Sequence, residues 1–255
     1  MAQQEGVHAA ALPPPSDPEK KTLFLDLDET LIHSQTDPAP ARYDFTVRPV
    51  ICGKAVTFYV CKRPGVDDFL RAAAEAFEVV IFTAGLEQYA SLVLDRLDPT
   101  GALIAHRLYR SACRDDGDGR LVKDLSATGR APDCAIIVDD NPNAYSLQPE
   151  NALPVAPFID DANDQELEKV MRFLDAAAGF DDTREAIRYY KDLVTEKKAM
   201  PIEVNTAHKR GVTGVRICGE EFAATCPELP PGITTEAANI CPPVTTGGVG
   251  RSGTS

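Results

Sequence analysis

The 255 residues carry 26 Lys and Arg against 39 Asp and Glu, a formal net charge of -13, with 44% hydrophobic and 25% charged residues. This is ordinary globular composition, which excludes a wholly disordered or fibrous chain. So acidic a balance argues against direct binding of nucleic acid or an anionic membrane surface, both of which need basic patches.

Residues 1–21 are rich in Ala, Pro and Gln, show no leader-like apolar or Arg-rich pattern, and are expected to be flexible. TLFLDL at 22–27 reads as a buried strand that ends in acids. Two β-like stretches, 43–51 and 55–62, are joined by a turn at 52–54, and Pro64 and Gly65 stop the second. Acids in the first turn and helical apolar spacing predict a helix over 66–77. EVVIFT at 78–83 has the pattern of a strand buried on both faces of a parallel sheet. Gly85 breaks it, and a helix is expected over 86–97. A strand over 103–110 follows, then a turn at 115–119 (DDGDG) that lacks the closing Glu of a calcium loop and so reads as a hairpin tip. CAIIVD at 134–139 is another buried strand, and helices are expected over 164–177 and 182–198.

Beyond 199 the chain is Pro-, Thr- and Gly-rich, with too few core residues to offset ordering, and is expected to be a flexible tail. Strands alternating with helices predict an α/β fold with a mostly parallel sheet. The expected division is a flexible segment 1–21, a globular domain 22–177, a C-terminal helix 178–198 and a tail 199–255. No run approaches the roughly 20 apolar residues of a membrane span. Seven cysteines, odd in number and without a CxxC pair, are expected to be free thiols of a soluble intracellular protein.

In sheets of this kind ligands bind beyond the carboxyl ends of the strands. Three buried strands deliver polar groups to that edge: Asp26, Asp28 and Thr30, then Thr83, then Asp139 and Asp140. Spacing of two in an extended segment puts Asp26 and Asp28 on one side. Three or four convergent carboxylates need a counter-charge, and Mg²⁺ with a substrate phosphate suits an all-oxygen set.

The motif DLDETL at 26–31 resembles motif I of the haloacid dehalogenase superfamily, in the form found in phosphatases of the RNA polymerase II C-terminal domain and their small relatives. KRPG at 62–65, FTA at 82–84, LYR at 108–110, VKDLS at 122–126, VDDNP at 138–142 and PENALPV at 149–155 follow in the order of that family. The resemblance covers about 22–177, an FCP-homology phosphatase domain with a Rossmann-like core, a small β-hairpin flap and no large cap.

It implies that Asp26 is the nucleophile, forming an aspartyl-phosphate, and that Asp28 is the general acid and then base, its carbonyl also ligating the metal. Thr30, Thr83, Ala84 and Lys123 would serve the phosphate, with Arg110 near the substrate. Asp26, Asp28, Asp139 and Asp140 would form the Mg²⁺ site, with Asp140 a direct ligand and Asp139 its support. The family commonly has Asn where Asp140 stands, so an extra negative charge is expected here. Phe58, Leu86 and Tyr89 match positions of an apolar substrate groove, whereas Thr36 replaces an aromatic residue usual in that groove.

Lys62 and Arg63 are expected to serve structural pairing, His33 to be a hydrogen-bonded loop residue, and Tyr189 and Tyr190 to pack. An open site without a large cap favours a phosphate displayed on a protein. The expected function is a Mg²⁺-dependent protein serine/threonine phosphatase, a nuclear or cytoplasmic monomer with a phosphoprotein partner and no nucleic acid or membrane. A non-catalytic binding module on the same fold and a small-metabolite phosphatase are the alternatives.

Overall fold

The computed structural model describes residues 11–199. From β1 (Thr22–Leu25) the chain enters a flap made of β2 (Ile32–Gln35), β3 (Phe45–Val47), a hairpin of β4 (Val50–Ile51) and β5 (Lys54–Ala55), and β6 (Phe58–Lys62). Helix α1 (Val66–Ala76) leads to β7 (Glu78–Phe82), and α2 (Glu87–Leu97) leads to β8 (His106–Leu108). The hairpin β9 (Arg114–Asp115) and β10 (Leu121–Val122) precedes β11 (Ala135–Asp139) and β12 (Ala152–Pro154), and α3 (Glu166–Ala177) and α4 (Thr183–Ala199) follow.

The central sheet has the order β12-β11-β1-β7-β8, and every pairing in it is parallel. Alternation of side chains divides its core into two layers. Leu23, Leu25, Val79, Ile81, Ile136 and Val138 share one layer with the buried residues of all four helices. Phe24, Val80, Phe82 and Ile137 point into a smaller layer closed by Leu125, Ala152 and Leu12. β1, β7 and β11 are buried along their whole length, as expected for strands covered on both faces. Each large apolar side chain so buried contributes about 1.5–3 kcal/mol.

The flap is a three-stranded antiparallel sheet, β2-β6-β3. The expected continuous strands 43–51 and 55–62 are each broken, because Pro49 has no N–H to give the ladder and its carbonyl instead accepts from Val56 N at 3.0 Å. The 52–54 turn forms as expected, with Cys52 at φ 50° and Gly53 at φ 76°, the two positive angles of a tight hairpin turn. Cys52 is disulfide-bonded, which corrects the free-thiol expectation at that position. Cys61, Cys113 and Cys134 are free.

The expected strand 103–110 shrinks to β8 because Asp98 takes the amides of Ala102, Leu103 and Ile104 at 2.9–3.1 Å. The DDGDG run is a hairpin tip, with Asp115 and Asp116 accepting from the amides of their own turn.

Residues 11–21, expected to be flexible, lie against the domain. Leu12 N donates to Thr128 O at 3.0 Å, Arg130 Nη2 to Pro13 O at 2.8 Å, and Lys20 Nζ to Ala74 O at 2.9 Å. Arg130 also forms a buried two-pronged pair with Glu78 at 2.7 Å, joining this segment to the start of β7. α4 docks through Ala186 and Ile187 in the main core and through Thr183 Oγ1, which donates to Ala135 O at 2.9 Å. Tyr190 packs on Phe173 with ring centroids 5.2 Å apart, while Tyr189 is largely exposed. The expected tail and residues 1–10 lie outside the described residues. Among the described residues no helix is long and apolar enough to cross a membrane.

Candidate active site

Register brings the polar residues together. Leu25 lies opposite Ile81 on one side and Val138 on the other, so β1, β7 and β11 all release their chains at one edge of the sheet. Asp26 N still donates to Val138 O at 3.0 Å, which fixes the nucleophile candidate at the last rung of the ladder. Asp26, Asp139 and Asp140 offer carboxylate oxygens that all lie within 4.8 Å of one another.

Lys123 arrives from the loop after β10 and is 2% exposed. Its Nζ donates to Asp26 Oδ1 at 2.5 Å and to Asp139 Oδ2 at 2.6 Å. Burial disfavours its charge, but the two carboxylates outweigh that and hold the ammonium above its ordinary value. Asp139 is wholly buried, and its other oxygen accepts from Asn141 N at 2.9 Å. Burial, with Asp26 adding to it, pushes Asp139 up to about 7. Asp140 accepts from Thr30 Oγ1 at 3.3 Å and is pushed to about 6, first by burial and then by the charges of Asp26 and Glu29. This is an under-compensated carboxylate cluster of oxygen donors, and a hard divalent cation fits it.

Asp28 has a different environment. Tyr89 Oη donates to its Oδ1 at 2.6 Å, and burial, ahead of the Glu29 charge, raises it to about 7. Two carboxylates of one motif are thereby separated. Asp26 is ion-paired to Lys123, and Asp28 is half-buried where it can hold a proton near neutrality.

The loop carrying them is clamped from behind. Glu29 sits at φ 60°, a left-handed conformation that its side chain disfavours. It is held because Phe158 N donates to Glu29 O, and Glu29 N to Ile32 O, each at 2.7 Å. Arg63, 1% exposed, donates to Thr30 O at 3.0 Å and Glu29 O at 3.4 Å through Nη1 and to Ala156 O at 2.8 Å through Nη2. It also grips Asp164 through Nε and Nη2 at 2.7 and 2.8 Å, which holds that carboxyl below its usual range even though burial pushes it up. The structural pairing expected of Arg63 is realised. Lys62 pairs with Asp67, and His33 Nδ1 lies 3.1 Å from Glu29 Oε1, the loop role expected of it.

Thr83, at the end of β7, accepts from Gly85 N at 2.9 Å through its hydroxyl oxygen. Gly85 has a steric reason: a Cβ there would stand 3.1 Å from Thr83 Oγ1 and 3.4 Å from Asp28 Oδ2. Arg110 secures this turn, donating from Nε to Ala84 O at 2.7 Å and from its backbone N to Gly85 O at 3.0 Å. The free Cys113 lies behind the turn, its Sγ 3.8 Å from Thr83 O, with burial pushing the thiol up to about 11.

The expected groove residues do not form an exposed wall. Phe58 and Tyr89 are 1% and 2% exposed, with ring centroids 4.6 Å apart, and only Leu86 is half-buried. The cause is polar: the Tyr89 hydroxyl turns inward to Asp28 and Ser34, and Phe58 packs on the ring that follows it. Sequence reading missed Ser34, Asp164 and the steric role of Gly85. A Gly two residues after the strand-end Thr83 was the one signal present for any of them.

Residues 21–184 match the family described as NLI interacting factor-like phosphatase. A probable C-terminal domain small phosphatase of Dictyostelium discoideum is 49% identical over 64% of this chain and 53% of its own length. The CTD small phosphatase-like protein of Mus musculus is 41% identical over 70% of this chain and 68% of its own. The human carboxy-terminal domain RNA polymerase II polypeptide A small phosphatase 1 is 41% identical over 68% of this chain and 65% of its own. The chain thus spans about half the length of the Dictyostelium relative. The family match covers the sheet, the flap and every residue of the carboxylate site, and the chain belongs to the NLI interacting factor-like phosphatases, the branch of the haloacid dehalogenase superfamily that its motifs resemble.

Proposed function

We propose that the chain is a Mg²⁺-dependent phosphatase of phosphoserine and phosphothreonine in proteins, working through an aspartyl-phosphate on Asp26. The observation that supports it most is the contrast between Asp26, ion-paired to Lys123 at 2.5 Å, and Asp28, raised to about 7 two residues away. One carboxylate is arranged to attack, the other to carry a proton.

In the first half-reaction an Asp26 oxygen bonds to phosphorus while Lys123 holds the carboxylate in place. The phosphorus–ester bond breaks, its electron pair goes to the serine or threonine oxygen, and Asp28 supplies the proton. In the second half Asp28 takes a proton from water as the water oxygen bonds to phosphorus, and the bond to Asp26 breaks to release phosphate. An acid–base group near 7 suits both directions. Thr83 accepts from Gly85, which leaves its own O–H to donate to a phosphate oxygen.

Asp26, Asp140 and the Asp28 carbonyl would hold Mg²⁺. Asp139 supports from behind, because both its oxygens are engaged by Lys123 and Asn141. When bound, the cation neutralises the charge shared by nucleophile and phosphate. The small flap leaves the site open to a phosphate on a protein surface, and a relative named for the RNA polymerase II C-terminal domain makes that domain one candidate. The acidic chain is read as a nuclear or cytoplasmic monomer with a protein partner rather than nucleic acid or membrane.

Phosphate release from a phosphoserine peptide tests this. We expect turnover with Mg²⁺, loss on chelation, and a higher kcat/KM than on sugar phosphates. Absence of turnover on every phosphopeptide with Mg²⁺ present would favour a binding module, and preference for sugar phosphates would favour a metabolite enzyme.

A second expectation concerns pH. Asp28, Asp139 and Asp140 have folded values of about 7, 7 and 6, above the roughly 4 of an unfolded carboxylate. The metal-free folded state then holds more protons than the unfolded one between about pH 4 and 7. The stability these groups contribute is present below that window and is lost as pH rises through it. Mg²⁺ offsets the loss, so the Tm increase on adding Mg²⁺ should grow from about pH 5 to 7.5 and should vanish in Asp140→Ala, which removes the oxygen donor. A Mg²⁺ shift that is independent of pH, or retained in Asp140→Ala, would contradict Asp140 as ligand.

A further inference from the structure

Two hydroxyls link the flap to Asp28. Tyr89 Oη donates to Asp28 Oδ1 at 2.6 Å and lies 2.5 Å from Ser34 Oγ. The three residues come from separate elements: the loop after β1, strand β2 of the flap, and helix α2. With the Tyr89 proton committed to Asp28, the Ser34 hydroxyl must be the donor to the Tyr89 oxygen. The chain of donors therefore runs Ser34 to Tyr89 to Asp28. Burial of the Tyr89 ring against Phe58, with centroids 4.6 Å apart, fixes the phenol in place.

The consequence lies on the other oxygen of Asp28. Its Oδ1 is occupied as an acceptor, so a proton on this carboxyl belongs on Oδ2. That oxygen faces the turn after β7, 3.4 Å from the point where a Cβ of Gly85 would stand, with Thr83 Oγ1 beside it. Glycine keeps this space clear.

We propose that Tyr89 and Ser34 are positioning residues that hold Asp28 Oδ1 as acceptor and so aim its transferable proton, on Oδ2, into the gap over Gly85 where the leaving oxygen departs. The assignment rests on the reading of Asp28 as general acid. It replaces the expected groove role of Tyr89 with one in the chemistry of the leaving group. The chain also ties the acid to the flap, so proper seating of β2 is needed for proton delivery.

The test exploits leaving groups. A serine oxygen departs only with a proton, whereas p-nitrophenolate leaves as a stable anion. Tyr89→Phe keeps the ring and its packing, and Ser34→Ala removes only the outer hydroxyl. Positioned proton transfer is worth roughly 10²–10⁴-fold. We therefore expect Tyr89→Phe to lower kcat/KM for a phosphoserine peptide at least about tenfold more than kcat/KM for p-nitrophenyl phosphate. Ser34→Ala should shift the ratio in the same direction by less, with Tm of both variants close to that of the unmodified chain. A ratio unchanged in both variants would overturn the assignment, whether both substrates suffer equally, as a packing role predicts, or neither does. If the unmodified chain turns over neither substrate, the phosphatase reading itself fails, before any variant is made, and the assignment falls with it.

Discussion

Asp26→Asn is expected to lower turnover of a phosphoserine peptide by at least about 10⁴-fold, the scale of losing a nucleophile, while the fold stays intact. The amide has the shape of the carboxylate but cannot form a hydrolysable phosphate ester. Lys123 keeps Asp139 at 2.6 Å as partner, so its buried ammonium is not stranded. The substitution also removes one of the three carboxylates crowded within 4.8 Å, which relieves repulsion in the metal-free protein. Tm without Mg²⁺ should therefore be unchanged or higher. Phosphate release and thermal melting on the same preparation check both halves. Turnover within tenfold of the unmodified chain would remove Asp26 from the mechanism.

Arg63→Ala should have the largest effect on stability. The guanidinium is buried, grips Asp164 with two nitrogens, and donates to the carbonyls of Glu29, Thr30 and Ala156. Its loss strands a carboxylate and takes their donor from the carbonyls of Thr30 and Ala156, while Glu29 O keeps Phe158 N. Breaking a buried pair of this kind costs about 3–5 kcal/mol, equivalent to a Tm fall of about 10 °C in a domain of this size. Activity should fall as well, because two of the carbonyls that lose this donor, those of Glu29 and Thr30, follow directly on Asp28. Arg63→Lys should rescue little, since an ammonium cannot match the fork on Asp164. Urea unfolding measures the cost, and a loss below about 1 kcal/mol would show that the clamp is dispensable.

What could be read from the sequence was what is encoded locally. The runs TLFL, EVVIF and AIIVD are apolar and β-branched, and they form the three buried strands that aim Asp26, Thr83 and Asp139 at one edge. Helices α1 and α2 fall within a residue of their expected bounds because acids in the first turn and apolar spacing mark them. β2 and β12 escaped notice: three of the four residues of IHSQ are polar and ALP is three residues long, too little for a periodic signal.

Long-range pairings left no local trace. Asp164 lies 101 residues from Arg63, and Glu78 lies 52 from Arg130. Tyr89 shows the same limit at the site itself. Its position matched a groove, but the direction of its hydroxyl depends on Asp28 and Ser34, 61 and 55 residues away. The anchoring of 11–21 likewise depends on acceptors and donors at Thr128, Arg130 and Ala74 that composition does not reveal.

The most direct measurement on the central claim is acid quenching of the protein during turnover of a phosphoserine peptide labelled in its phosphate, followed by peptide mapping. The expected result is label on Asp26, released by hydroxylamine as an acyl phosphate and absent in Asp26→Asn. Label on another residue, or steady turnover with no covalent phosphate at any quench time and none trapped in Asp28→Asn, would contradict the account.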